Sequence, residues 1–181
     1  RKKIEQAISD LEYTPNELAR NLFRNRTGII GVLIPDLDHP FFSAFTRETE
    51  VALYKRGYKA MICNTVGSSN RERDYLNMLD RHKPELVFVT SPWQFHVRHA
   101  VQCVKRQCHV ALEIKGGLYL GEYQPLVELA EQGKCRVYPL ENTLFRRDTL
   151  AICNMVNAGL FGEIIYMRGG YRHDLRALLL D

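Results

Sequence analysis

Apolar and polar positions along the chain follow two periods, and the switches between them mark out the elements. Ile4, Ala7, Ile8 and Leu11 recur at helical spacing, which predicts a short amphipathic helix. Pro15 ends it by disfavouring a helical Thr14. Thr14, Pro15 and Glu17 then supply a hydroxyl cap, a first-turn proline and a capping-box acid, so a second helix is predicted over 15–25. TGIIGVLIPD, residues 27–36, is an aliphatic run of the kind that forms a strand buried on both faces. After the DLDHP turn a helix is predicted over 41–56, with Phe42, Phe45, Val51 and Ala52 inward, Leu53 also a candidate, and Gly57 closing it.

The alternation continues with a strand over 58–64 and a charged helix over 68–82 whose Tyr75, Leu76 and Leu79 face inward. A strand over 86–90, a helix over 93–106, a strand over 108–113, a helix over 119–132 and a strand over 135–140 complete the run. Such alternation predicts the α/β class, as a doubly wound parallel sheet with right-handed crossovers. A helix over 147–158, stopped by Gly159, and a strand in FGEIIYMRGGY follow it.

Composition narrows the picture. A chain of 181 residues that is 45% apolar can bury a proper core. It holds no run of eighteen uncharged apolar residues and opens with no positive-then-apolar leader, so no membrane partner is expected and the cytoplasm is the default compartment. The Arg-Lys-Lys start and the Ala-Leu-Leu-Leu-Asp finish read as two cut ends. Five scattered cysteines without a C-x-x-C pair read as reduced thiols. His96, His99 and Cys103 lie along one face of a predicted helix and are types that zinc accepts, but no fourth ligand is visible and no metal is expected. The net charge of +4 permits a nucleic-acid partner without requiring one, and its basic residues crowd the first thirty positions.

YTPNELARNLFRNRTGIIGVLIPDLDHPFF, residues 13–42, resembles the LacI-type transcriptional repressors, and the likeness continues to residue 83. The resemblance makes 1–26 the end of a DNA-binding region and a hinge helix. It implies that Asn16, Ala19 and Leu22 face the DNA minor groove, with Leu22 as an apolar wedge, and that Arg20, Arg24 and Arg26 neutralise phosphates. Read by its residues alone, the same segment is a plain amphipathic helix with Leu18 and Leu22 packed inward. The base-reading helix-turn-helix would precede residue 1, so DNA binding is expected to be weak and non-specific. The resemblance also implies a small sugar-like effector, with Asp36 accepting hydroxyl hydrogen bonds and Phe41 or Phe42 stacked on its ring. Asp36 as a helix cap and the two phenylalanines as core remain the alternative.

VFVTSPWQFH, HVALEIKGG, YPLENTLFRRD and GEIIYMRGGYRHDLR, within 85–181, are similar to the Gfo/Idh/MocA oxidoreductases, especially their glycosidase-like branch. This likeness implies that Ser91, Pro92 and His96 approach a nicotinamide ribose. It places Glu113 and Lys115 at the nicotinamide and substrate, and His173 in the substrate pocket. A lysine can polarise a carbinol oxygen and a histidine can move its proton. That family needs G-x-G-x-x-G after its first strand, where this chain has IPDLDHPFF with two carboxylates. GGLYLG, at 116–121, has the wrong spacing to replace it. No cofactor is therefore expected, NAD(P) belonging to the second resemblance alone.

Joined just before Leu86, the two patterns fit one flavodoxin/Rossmann-like sheet of strand order 2-1-3-4-5, because each later strand enters a slot the first part leaves open. The expected organisation is an N-terminal helical arm over 1–26, an α/β domain over 27–141 and the start of a truncated C-terminal domain over 142–181. The expected function is a LacI-type regulator derivative with a sugar-like effector, homodimerisation being allowed. An NAD(P)-dependent Gfo/Idh/MocA-type oxidoreductase or glycosidase fragment and an inert recombination product are the alternatives. Beyond about Gly159, Ile164, Ile165, Tyr166 and Met167 expose an apolar run, expected to be poorly ordered or held against another chain.

Overall fold

The computed structural model describes residues 6, 10, 26–114, 117, 119–133 and 135–170. The two helices expected before residue 26 fall outside the described residues save for Gln6 and Asp10, and Asn16, Ala19, Arg20, Leu22 and Arg24 lie outside them, as do Lys115 and His173. The chain divides into two compact units, Arg1–Leu140 and Glu141–Asp181.

In the first unit the order is β1 (Ile29–Ile34), α1 (Pro40–Tyr54), β2 (Lys59–Asn64), α2 (Ser69–His82), β3 (Leu86–Val89), a 3-10 turn (Trp93–Phe95), α3 (His96–Lys105), β4 (His109–Glu113), α4 (Leu120–Glu131) and β5 (Val137–Leu140). The five strands form one parallel sheet of order β2-β1-β3-β4-β5, the doubly wound arrangement expected from the sequence. β1 is interior and takes partners on both sides: Ile30 lies opposite Ala60 and Leu86, and Leu33 opposite Cys63 and Val89. Its residues from Ile30 on are buried without alternation, because helices cover both faces. Pro139 is tolerated in β5 because that strand is at the edge, where a missing N–H breaks no ladder.

Helix α2 begins at Ser68, whose hydroxyl accepts from Arg71 N, and ends at Lys83 in the left-handed conformation, φ 46°. Its inward stripe is Glu72, Tyr75, Leu76 and Leu79, at positions i, i+3, i+4 and i+7. Leu79 is wholly buried with Leu33, Cys63, Val87, Val89, Ala100 and Cys103 in one core cluster. Gly31 is required by this packing: a Cβ there would stand 2.9 Å from Leu79 Cδ2 and 3.3 Å from a Val87 methyl.

The connection into β3 is tied to the start of β1. Glu85 accepts from Gly28 N at 3.0 Å and pairs with Arg26 Nε at 3.4 Å, while Thr27 Oγ1 donates to the Lys83 carbonyl at 3.1 Å. Arg26 also reaches the Tyr58 hydroxyl at 3.4 Å. The arginine assigned to phosphate from the sequence is thus engaged within its own domain, at the amino ends of the strands.

Two expectations are corrected. In α1 the half-buried positions are Phe42, Phe45, Thr46, Thr49 and Leu53, whereas Val51 and Ala52 are exposed. The helix presents the stripe that continues from Phe42 at three- and four-residue steps, and Val51 lies two residues off it, roughly 200° round. FGEIIYMRGGY forms no strand over its described residues, and Ile165 is 95% exposed. The described residues of the second unit offer a 3-10 turn (Asn142–Phe145) and helix α5 (Arg147–Asn157) but no neighbouring strand, so its N–H and C=O groups have no ladder to join.

Leu79→Ala removes the side chain that fills the space between α2 and the strands at Gly31 and Val87. Urea unfolding is expected to show a loss of about 2–5 kcal/mol, the range for truncating a buried leucine, against a smaller loss for Leu53→Ala on half-buried α1.

Candidate functional site

In an open parallel sheet the ligand crevice opens at the carboxyl ends of the strands where the chain departs to opposite faces. Here that point lies between β1 and β3, the chain stepping outward to β2 from one and onward to β4 from the other. Two threonines fasten it. Thr65, just after β2, donates to the Ile34 carbonyl at 3.1 Å, and Thr90, just after β3, donates to the Leu33 carbonyl at 3.0 Å. Both are buried, so the end of β1 is clamped from each side.

The turn from β1 into α1 forms one wall. Asp36 Oδ1 accepts from Asp38 N at 3.0 Å, a side chain closing its own turn. His39 caps α1: its Nδ1 accepts from Phe41 N at 3.2 Å and its carbonyl accepts from Ser43 N at 3.0 Å. Phe41 is 54% exposed and lies edge-on to Phe42, while Phe45 reaches Phe88 of β3. Phe41 is therefore available at the surface and Phe42 is half-buried on the stripe of α1.

This turn does not fit a dinucleotide pyrophosphate. A phosphate needs free backbone N–H groups at a helix start and a backbone it can approach closely. Pro40 has no N–H, Phe41 N is taken by His39, and Asp36 and Asp38 place two carboxylates at the same turn. Every one of these features works against an anion.

The loop after β3 forms the other wall. Ser91 is 2% exposed; its Oγ is 2.8 Å from His99 Nδ1, and its carbonyl is bonded by His96 Nε2. Pro92 is half-buried and Trp93 is 66% exposed, so the loop presents these two rings. Ser91 and His96, assigned to a nicotinamide ribose from the sequence, have buried side chains that hold the loop from behind. Glu113, at the end of β4, is half-buried and has partners of its own.

His99 also reaches Glu72 of α2, Nε2 to Oε2, at 3.5 Å. Burial pushes the imidazole pKa down to about 4, helped by the Arg98 and His96 charges, so His99 is neutral near pH 7. Burial raises the Glu72 carboxyl above its ordinary value, Arg98 opposing it. Local pattern reading passed over Glu72, although it lies on the same inward stripe as Leu79. The contact joins helices distant in sequence, and only packing reveals it.

His96, His99 and Cys103 are all buried on α3, yet no group among the described residues is arranged to hold a metal ion. The helix buries that face against the sheet. Burial drives the Cys63 thiol up to about 12 and Cys108 to about 11, which leaves both inert at neutral pH.

Comparison with known proteins adds the following. A family profile described as an oxidoreductase family with NAD-binding Rossmann fold matches residues 25–140, and a second, for the glycosyl hydrolase 109 C-terminal domain, matches 145–181. A glycosyl hydrolase family 109 protein of Parabacteroides distasonis is 39% identical over 106 residues, 58% of this chain and 23% of that protein. The sucrose operon repressor of Streptococcus mutans is 38% identical over 89 residues, 49% of this chain and 28% of that protein. The chain thus spans about a quarter of the length of these relatives. Among solved structures, the WlbA dehydrogenase of Bordetella pertussis in complex with NADH and UDP-GlcNAcA superposes with a TM-score of 0.57 at 13% identity, covering 76% of this chain and 44% of that one. The oxidoreductase profile also runs through 25–83, within the stretch that resembles the repressors. The regulator expected first is accordingly the less supported reading, and the likeness to repressors is one of partial sequence.

The buried imidazole gives a pH dependence of defined sign. Unfolded, His99 takes a proton below about 6.5; folded, it stays neutral to about 4. The unfolded chain therefore binds the extra proton between these values, and stability falls as pH falls through that window. Glu72, raised in the fold, acts in the opposite sense and trims the effect. In urea unfolding the native chain is expected to lose up to about 2 kcal/mol more than His99→Gln between pH 7.5 and 5. Equal losses would place the titration elsewhere.

Proposed function

The chain belongs to the Gfo/Idh/MocA oxidoreductase family, and on that premise we propose that it is a sugar-handling domain of the oxidoreductase or glycosidase type, its ligand lying in the crevice between the β1 turn and the β3 loop. The observation that carries this reading is the family match over 25–140, which spans both walls of the crevice. The glycosyl hydrolase 109 match over 145–181 points the substrate class to sugars. The chemistry of the walls agrees: carboxylates at Asp36 and Asp38 accept hydroxyl hydrogen bonds, and the exposed rings of Phe41 and Trp93 offer faces for the apolar side of a pyranose.

NAD is the cofactor of the family by its description. In this chain the β1 turn does not fit its pyrophosphate. By the resemblance alone Lys115 would polarise a carbinol oxygen and His173 would take its proton, both outside the described residues, while Glu113 ends β4.

A second reading is favoured by the partial identity to the sucrose operon repressor: the same crevice would hold a sugar as an effector rather than as a substrate. Both readings share a neutral, hydroxylated ligand. They separate on turnover and on DNA.

Trp93 is the single tryptophan of the chain and stands at the crevice, so its emission reports occupancy directly. Titration with N-acetylgalactosamine, the sugar in the name of the alpha-N-acetylgalactosaminidase of Tannerella forsythia that is 38% identical over 106 residues, is expected to shift the emission saturably. Asp36→Asn should weaken binding about tenfold, the size of a lost charge-assisted hydrogen bond. Release of nitrophenol from a nitrophenyl N-acetylgalactosaminide would favour the glycosidase reading, and a shift with sucrose but no turnover the effector reading. An emission unchanged by all of these sugars would overturn the proposal.

A further inference from the structure

The geometry points to Glu72 as a positioning residue that, acting through His99, holds the loop carrying Pro92 and Trp93 at the crevice. Three buried polar side chains from three elements form a chain. Ser91 Oγ stands 2.8 Å from His99 Nδ1, and His99 Nε2 stands 3.5 Å from Glu72 Oε2. Relative exposures of 2% for Ser91, 2% for His99 and 7% for Glu72 leave no approach for a ligand carbonyl to the serine oxygen. The residue types are those of a hydrolytic triad, but their work is internal.

The proton positions follow from the partners. An ionised carboxylate can only accept, so Nε2 of a neutral His99 carries the hydrogen and Nδ1 presents its lone pair, which accepts from the Ser91 hydroxyl. The second imidazole, His96, three residues earlier on α3, bonds the Ser91 carbonyl through its own Nε2. Both polar groups of Ser91 are thereby held from one helix face.

His99 also reaches the far end of the loop. Its ring stacks on Phe95 with centroids 5.8 Å apart and planes 30° from parallel. One imidazole thus touches the first residue of the segment 91–95 and its last, and the orientation of that ring sets the path between them. Glu72 contributes from α2, outside the loop, by fixing which ring nitrogen bears the hydrogen, much as a carboxylate behind a metal-bound histidine fixes its tautomer. Without that acceptor the ring can take the other tautomer or turn, and Trp93 loses its fixed place.

This inference rests on the reading that the loop meets the ligand, but its test does not. In the full chain labelled with 15N-histidine, the His99 signals, assigned by their loss in His99→Gln, are expected to show a protonated Nε2 and a bare Nδ1 at neutral pH. Glu72→Ala is expected to move both ring nitrogens and the Trp93 indole signal. Glu72→Gln, which keeps an acceptor oxygen without the charge, should restore both. Hydrogen on Nδ1 in the native chain would overturn the proposal, as would Glu72→Ala shifting His99 while leaving Trp93 in place, since the pair would then be structural only. Should Glu72→Ala not fold, Ser91→Ala leaves α2 untouched and is expected to move the indole signal; an unmoved indole again overturns the proposal. Failure of the native chain to bind any sugar would defeat the ligand reading alone, and the nitrogen signals would still decide the role of Glu72.

Discussion

The pairing of β1 with β3 is the constraint on which the rest of the first unit depends. It sets Ile30 to Leu33 against Leu86 to Val89, two strands that both lie within the one oxidoreductase family match. Both ends of the pair are locked by side chains. Glu85 binds Gly28 N and Arg26 at the amino end, and Thr90 donates to the Leu33 carbonyl at the other. Every interaction spans more than fifty residues of sequence, so each ties down a loop whose closure is entropically costly. A one-residue slip would turn Phe88 away from Phe45 and drive it into the cluster now filled by Val87 and Val89.

The same pairing creates the crevice and decides its character. Because β1 ends beside β3, the turn 35–39 and the loop 91–95 face the same opening, one contributing carboxylates and a capping imidazole, the other rings. A helix start in this position usually attracts phosphate. Here proline, the N–H of Phe41 taken by His39 and two acids reverse that tendency. The family fold and the local chemistry therefore point to different halves of a dinucleotide enzyme's work: the scaffold is that of a nucleotide-binding domain, and the turn is not.

The second unit follows a different logic. Helix α5 buries none of its side chains, and the segment after it shows Ile165, Tyr166 and Met167 to solvent. Apolar residues arranged for a sheet, with no strand among the described residues of their unit to pair with, gain neither hydrogen bonds nor burial.

Much of the fold was legible in the chain itself. The aliphatic run at Ile29–Ile34, the Gly57 stop and the stripe ending in Leu79 are local patterns whose period and punctuation need no distant partner, and they determined the elements and the parallel class. The positions of Asp36, Phe41 and Pro92 just beyond β1 and β3 follow from the same local pattern, since strand ends carry the loops. Tertiary packing alone decided what local pattern leaves free. It chose the face of α1, turning Val51 outward; it left FGEIIYMRGGY without the neighbour a strand requires; and it brought Glu72 to His99 across two helices. It also turned the side chains of Ser91 and His96 inward. A side chain's partner across the core is fixed by the register of the strands and the crossing of the helices, and neither is written in the spacing of residues along one segment.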